Sequence, residues 1–416
     1  MHHDESEPPA GEHHILELTE PSYVEKFTCW GGSCPDTCCQ RWDIVIDAAT
    51  CERYAHSRDA GFRHDTAKAI EHRQEAGKEL TVIRLGRGQR CPFLRNDGWC
   101  LIQRRTSEFY LSEVCRTYPR VIHIWKDTEA ERALCLSCIA AAHLILGRDE
   151  PISLKKRELD EAGWAGLRIA GRGQQPLPWS SLLRQQLVEV LQHRLLPLRQ
   201  RLFLANQLFW QAGRLSGHHA AKHFAELAAT WHAKWEGGGP QLPEAPSAAG
   251  QLEQLQCLVL HRLESHQLRP EFQQRLKALA VSWHFAAGQR PSSAMARQYS
   301  DARELYAMEV RPPYGIFWEN FLVNGVFKDL FLLADEATFY AGWFRLLVQM
   351  AFLRLLLLTT ALNSGSLPPR DEAIWLAHLV GQEVGHDALY LEQMRRHLAA
   401  GGDESAAVQA FCRQMI

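Results

Sequence analysis

From about residue 178 the apolar positions recur at helical spacing. Leu182, Leu183, Leu187, Val188, Val190 and Leu191 follow that period, as do Leu202, Leu204, Leu208, Phe209 and Trp210. Helices are expected to run through Trp235 and to resume from Leu252 to about Ala287. Three more are expected over about 316–333, 336–362 and 370–399. Gly237-Gly238-Gly239-Pro240, with Pro243 and Pro246, predicts a loop near 236–250, and Arg311-Pro312-Pro313 predicts a second break. Residues 175–416 therefore read as an all-helical domain.

The earlier part has shorter periods. Residues 1–14 are polar and read as a disordered tail. Trp42, Ile44 and Ile46 alternate as in a short strand, and Asp47 is placed to cap a helix through Tyr54. The charged stretch 63–79 reads as an exposed helix. Leu80–Leu85 and Val121–Trp125 read as strands, and Ile139–Leu146 as a helix that Gly147 ends. The expected fold class is α+β, mostly α. A small cysteine-rich domain with short strands, residues 15–174, precedes the helical domain.

Cysteine placement changes the picture most. Ten of the 12 cysteines lie between positions 29 and 138. Cys29, Cys34, Cys38 and Cys39 form a C-x4-C-x3-C-C loop, in which Gly31 and Gly32 permit a tight turn. Cys91 and Cys100 flank an Asn96-Asp97-Gly98 turn; Cys115 follows, then the pair Cys135 and Cys138. The polar, acidic start of the sequence has no apolar signal core, which points to the cytoplasm. In a reducing compartment clustered thiols read as metal ligands before disulfides. The candidate ligands are Cys29, Cys34, Cys38, Cys39, Cys91, Cys100, Cys115 and Cys138. Zinc and an iron–sulfur cluster both suit this spacing. Cys34, Cys38 and Cys39, closed by Cys29 or Cys115, make the first choice for one centre. Eight thiols exceed what one centre needs. Arg41 and Arg116 adjoin these thiols and are candidates to hold a cofactor carboxylate; the competing reading is ordinary surface charge.

A formal net charge of −2 gives no general attraction to nucleic acid. The apolar run Phe344–Leu358 is interrupted by Arg345, Gln349 and Arg354. It reads as a buried core helix and not a transmembrane segment, with peripheral membrane contact and oligomer formation left open.

At the cysteine motifs the chain resembles the flagellin lysine N-methylase family, within the broader CxxCxxCC-type metal-chelating group. The carrying segments are Phe27 to Trp42, Cys91-Pro92-Phe93-Leu94 with Asp97 to Gln103, Leu111 to Arg120, and Cys138 onward; Glu319 to Asn324 and His386 extend the likeness into the helices. The resemblance implies methyl transfer from S-adenosylmethionine to the ε-amine of flagellin lysines, with a [4Fe–4S] cluster; zinc is the alternative metal. No glycine-rich strand–turn–helix for a nucleotide cofactor is evident, Gly86-Arg87-Gly88 and Gly171-Arg172-Gly173 reading as ordinary turns. A lysine amine, with a pKa of about 10.4, needs a base or desolvation before it can attack. Tyr118 and His386 are the candidate catalytic groups, and Glu319 with Asn320 the candidate pins between the two domains. Two other readings compete: a non-catalytic, zinc-stapled protein-binding module, and an iron–sulfur electron carrier.

Overall fold

The structure is a computed structural model. It describes residues 15–75, 78–125, 129–160, 167–168, 179–215, 220–236, 246–265, 268–307, 314–329, 336–400 and 402–415. The expected tail and most of the glycine- and proline-rich loop lie outside the described residues.

The N-terminal part contains two sheets. Strands β1 (Ile15–Pro21), β5 (Arg120–Trp125), β6 (Glu129–Leu134), β7 (Leu154–Asp160) and β8 (Leu167–Arg168) form a mixed sheet in the order β7-β1-β6-β5-β8. β1 runs parallel to β6 and antiparallel to β7. Strands β2 (Ile44–Val45), β3 (Ile70–Glu75) and β4 (Lys78–Ile83) form an antiparallel sheet in the order β2-β4-β3. Four short helices lie around it: α1 (Ala48–Ala55), α2 (Ala60–Ala69), α3 (Leu101–Arg105) and α4 (Glu113–Thr117). Helix α5 (Ile139–Leu146) then leads toward the helical part, and Gly147 occupies its C-cap. As expected, the Asp47 side chain accepts from the Thr50 amide at 2.8 Å and caps α1.

The stretch 63–79 is not one exposed helix. α2 stops at Ala69, and Ile70–Glu75 turns into a hairpin with β4, registering His72 opposite Thr81. Strand pairing overrides the helical propensity of those charged residues. β6 escapes a hydrophobicity reading because it is buried on both faces and its buried residues include Glu131 and Arg132. Arg132 pairs with fully buried Glu20 at 2.7 Å, and Glu131 pairs with Arg184.

Helices α6 (Ser180–Gln192) to α16 (Glu404–Met415) form the large helical region. Those that position the site are α10 (Pro270–Ser282), α12 (Tyr314–Asp329), α13 (Glu336–Ser364), α14 (Arg370–Glu383) and α15 (Ala388–Ala399). The expected helix over 370–399 is thus split, because the chain breaks at Val384–Asp387 beside the site. In length and composition α13 could cross a membrane between Tyr340 and Ser364, but 78% of its apolar window is buried within the protein. It is the axis of the core, with Trp343, Leu347, Phe352 and Leu357 enclosed by the surrounding helices.

Apolar packing forms two clusters. The large one joins β6 and α5 to the helices. A small one, eleven buried residues between Ile44 and Leu111, belongs to the region of the second sheet. The expected pins act in part. Asn320 donates to the Glu150 carbonyl at 3.1 Å, and Asn324 to the Leu134 carbonyl at 3.2 Å. Glu319 instead pairs with Arg194 and Arg201, at 2.7 and 3.1 Å, inside the helical region.

Candidate active site

The loop from Cys29 to Cys39 is shaped by its glycines. Gly31 has φ +53°, and a Cβ there would lie 2.5 Å from the Trp99 ring. A Cβ on Gly32 would meet the Asp97 carbonyl at 2.6 Å. The turn between Cys91 and Cys100 therefore lies directly on the first cysteine loop, and no larger side chain fits between them.

Asp36, at the far side of that loop, is buried against the helices. It accepts from His378 Nε2 at 2.7 Å, Arg269 Nη1 at 2.5 Å and Gln382 Nε2 at 2.9 Å. Burial opposes its ionisation, but His378, Arg269 and Gln382 together outweigh burial and hold the carboxyl far below the usual range. Arg269 also reaches Glu383 at 3.2 Å. The cysteine loop is thus locked to α14 through one carboxylate.

Beside this lock is a cavity of about 450 Å³, within the size of small-ligand sites. The loop contributes Cys38, Arg41 and Trp42; the sheet side contributes Tyr118, Arg120 and Ser137. Arg269, Lys328 and Arg345 line the helical side, with Gln382, Glu383 and His386 from the end of α14. Arg41 has φ +69°, a left-handed backbone that non-glycine residues adopt rarely and that recurs at functional positions.

Both candidate catalytic residues face this cavity and meet through Ser137. Its hydroxyl lies 2.6 Å from His386 Nε2 and 3.0 Å from the Tyr118 hydroxyl. Burial, then the thiols of Cys138, Cys38 and Cys135, push the Tyr118 phenol far up, so it stays protonated. The Trp42 and Tyr118 rings lie 5.6 Å apart and form an aromatic wall. Burial pushes the Glu383 carboxyl up despite Arg269. Of the two candidate cofactor-holding residues Arg41 lines the cavity and Arg116 does not; the buried Nε of Arg116 has no hydrogen-bond partner.

Asp36, Ser137 and Glu383 escaped the sequence reading. Asp36 and Ser137 lie within cysteine motifs, and Glu383 lies three residues before His386, but only the fold joins them: Asp36 and His378 are 342 positions apart.

All 12 cysteines are free thiols. Among the described residues, no group of three or more His, Cys, Asp or Glu side chains is drawn together tightly enough to hold a metal ion. The eight candidate thiols are soft donors, and several lie within electrostatic reach of one another. Cys91, Cys100 and Cys115 each feel the charge of Cys39. Cys138 feels Cys34 and Cys29, Cys34 feels Cys29 and Cys39, and Cys38 feels Cys39, Cys138 and Cys115, so the thiols run on without a clear division. Burial pushes the thiols of Cys91, Cys115 and Cys138 up to about 12. A hydrogen bond between the neighbours Cys38 and Cys39 pushes Cys38 up and draws Cys39 down to about 7.

Residues 184–408 match the family described as the FliB lysine N-methylase C-terminal domain. The flagellar biosynthetic protein FliU of Salmonella muenchen is 30% identical over 144 residues, 34% of this chain and 85% of that protein. Lysine-N-methylases of Salmonella typhimurium and Salmonella choleraesuis are each 29% identical over 145 residues, 35% of this chain and 36% of theirs. The chain thus spans about a third of the length of those two methylases. No solved structure matches. With more than half of its length under that family's pattern, the chain belongs to the FliB lysine N-methylase C-terminal domain family.

Proposed function

We propose that this chain is a protein-lysine N-methyltransferase that moves a methyl group from S-adenosylmethionine to the ε-amine of a protein lysine, with flagellin as the substrate. The observation that carries this reading is the cavity, which sets an aromatic wall, a row of cations and one buried carboxylate around one space, in a chain of this family. Five cationic side chains, Arg41, Arg120, Arg269, Lys328 and Arg345, face it. They suit the carboxylate of a methionine-derived ligand. The Trp42 and Tyr118 faces suit its sulfonium through cation–π attraction.

S-adenosylmethionine supplies an electrophilic methyl on sulfur. In the transfer the S–CH₃ bond breaks, an N–CH₃ bond forms, and the lysine ammonium gives up a proton. Glu383 is placed to take it, because a carboxyl raised above its usual range is a stronger base than an exposed one. Ser137 lies between protonated Tyr118 and the exposed His386 and holds both at the cavity wall. Cys34, Cys38 and Cys39, closed by Cys29 or Cys115, are the thiols that would hold an iron–sulfur cluster or zinc, and Cys38 among them lines the cavity. A bound cluster would supply iron to chelate the amino and carboxylate groups of the methionine part.

Glu383→Gln tests the base. We expect a loss of about 10²- to 10⁴-fold in methyl transfer, with donor binding retained. Unchanged turnover across pH would remove Glu383 from this role.

A further inference from the structure

We propose that the turn 86–90, together with Arg41, is a docking lip for an acidic protein segment, so that the acceptor lysine of the substrate is flanked by aspartate or glutamate. The lysine in that segment rests on the activity proposed above; the attraction for an acidic chain does not. Backbone contacts tie the turn to the cysteine loop. Gln40 bridges to Arg90, the Arg41 amide donates to the Gln89 carbonyl at 2.8 Å, and the Cys91 amide donates to the Cys39 carbonyl at 2.9 Å. Gln40, Arg41 and Trp42 line the cavity, so the turn continues its rim. Gly88 and Gln89 have φ of +67° and +59°, beside Arg41 at +69°. Left-handed backbone at a non-glycine residue costs energy and collects at binding positions. A Cβ on Gly88 would meet nothing within 4 Å, so the tip of the turn stands open.

The charge on this lip has one sign. Arg41, Arg87 and Arg90 are exposed, and their guanidinium groups make no ion pair among the described residues. The carboxylates of adjoining segments are engaged elsewhere: Asp43 with Arg73, Glu71 with Arg84 at 3.7 Å, and Glu383 with Arg269 at 3.2 Å. Inside the cavity five cations face a single carboxylate, Glu383. A lysine approaching this space is repelled unless its own chain brings negative charge. Aspartate or glutamate beside the lysine supplies that charge and meets the planar forks of Arg87 and Arg90, while the amine goes to Glu383. A nucleic acid fits less well. The whole chain carries a formal net charge of −2, and a phosphate backbone has no cation to offer Glu383.

The test uses the full chain and fluorescent peptides with a single central lysine, bound without a methyl donor and read by anisotropy. The lysine is flanked by acidic, neutral or basic residues in otherwise equal peptides. We expect the acidic peptide to bind about 3- to 30-fold more tightly than the neutral one, with the advantage shrinking as salt is raised. Arg87→Glu combined with Arg90→Glu removes that advantage. Both side chains are exposed, so the circular dichroism of the double variant stays that of the wild type. Arg297→Glu, at an exposed residue of α11 (Ser293–Tyr306) outside the cavity, keeps the advantage. Equal affinity or no binding across the three peptides, an advantage untouched by the double reversal, or its loss in Arg297→Glu would overturn the proposal. So would an oligonucleotide that Arg87 and Arg90 hold more tightly than the acidic peptide. Binding needs no methyl transfer. A chain that prefers the acidic peptide yet methylates no lysine would sink the proposed activity and leave the docking lip standing.

Discussion

The region of the second sheet and the helical region are held by different forces. The helices enclose α13 in a large apolar cluster, with Trp283, Trp318 and Trp343 fully buried. Burial on that scale is enough to drive folding. The cysteine-rich region has a short list of buried residues, a tryptophan resting on two glycines, and thiols brought side by side. One region is built to be stable, while the other borrows stability from specific contacts and lends its loop to a cavity. The lesson is that the cavity forms where a self-sufficient scaffold meets a region that must be pinned in place.

The contrast can be broken from either side. The largest effect is expected at the pin. Asp36→Asn leaves Arg269 and His378 without their shared charge, and breaking a buried pair of this kind costs about 3–5 kcal/mol. Denaturant unfolding followed by a tryptophan signal should show it. The same carboxyl sets an acid limit. Its folded pKa lies below its unfolded value of about 3.9, so its contribution is complete above that pH and drains away as pH falls further. A melting temperature that drops more steeply below pH 4 in the wild type than in Asp36→Asn is the expected signature.

Leu357→Ala opens a hole in the helical core and should cost about 2–5 kcal/mol, with no change in metal content. That outcome would separate scaffold from site. Gly32→Ala should cost less, about 1–3 kcal/mol, because a Cβ forces the Asp97 carbonyl and the Trp99 ring away from the loop. Its mark would be a change in Trp99 fluorescence with the helical signal in circular dichroism unchanged.

Much of the fold was legible from residue pattern. The helix Ile139–Leu146, its end at Gly147, the Asp47 cap and the strand beginning near Val121 emerge where apolar period and capping chemistry agree. β6 was not legible, because Glu131 and Arg132 are buried by partners on other elements. β7 was hidden by Lys155 and Lys156, charges typical of an edge strand, which pair with Glu25 and Glu17. The cysteine motifs, Arg41, Tyr118 and His386 stand out by residue type. Asp36, Ser137 and Glu383 do not, because their chemistry arises from contacts between segments far apart in the sequence.

The most direct measurement of the central claim is transfer of a labelled methyl group. The purified full chain, prepared without oxygen, is mixed with methyl-labelled S-adenosylmethionine and flagellin, and the label is mapped by peptide mass spectrometry. The account predicts label on lysine ε-amines, and its loss in both Glu383→Gln and Trp42→Ala. Label absent from flagellin with the intact chain, or undiminished when the cavity is altered, would contradict it.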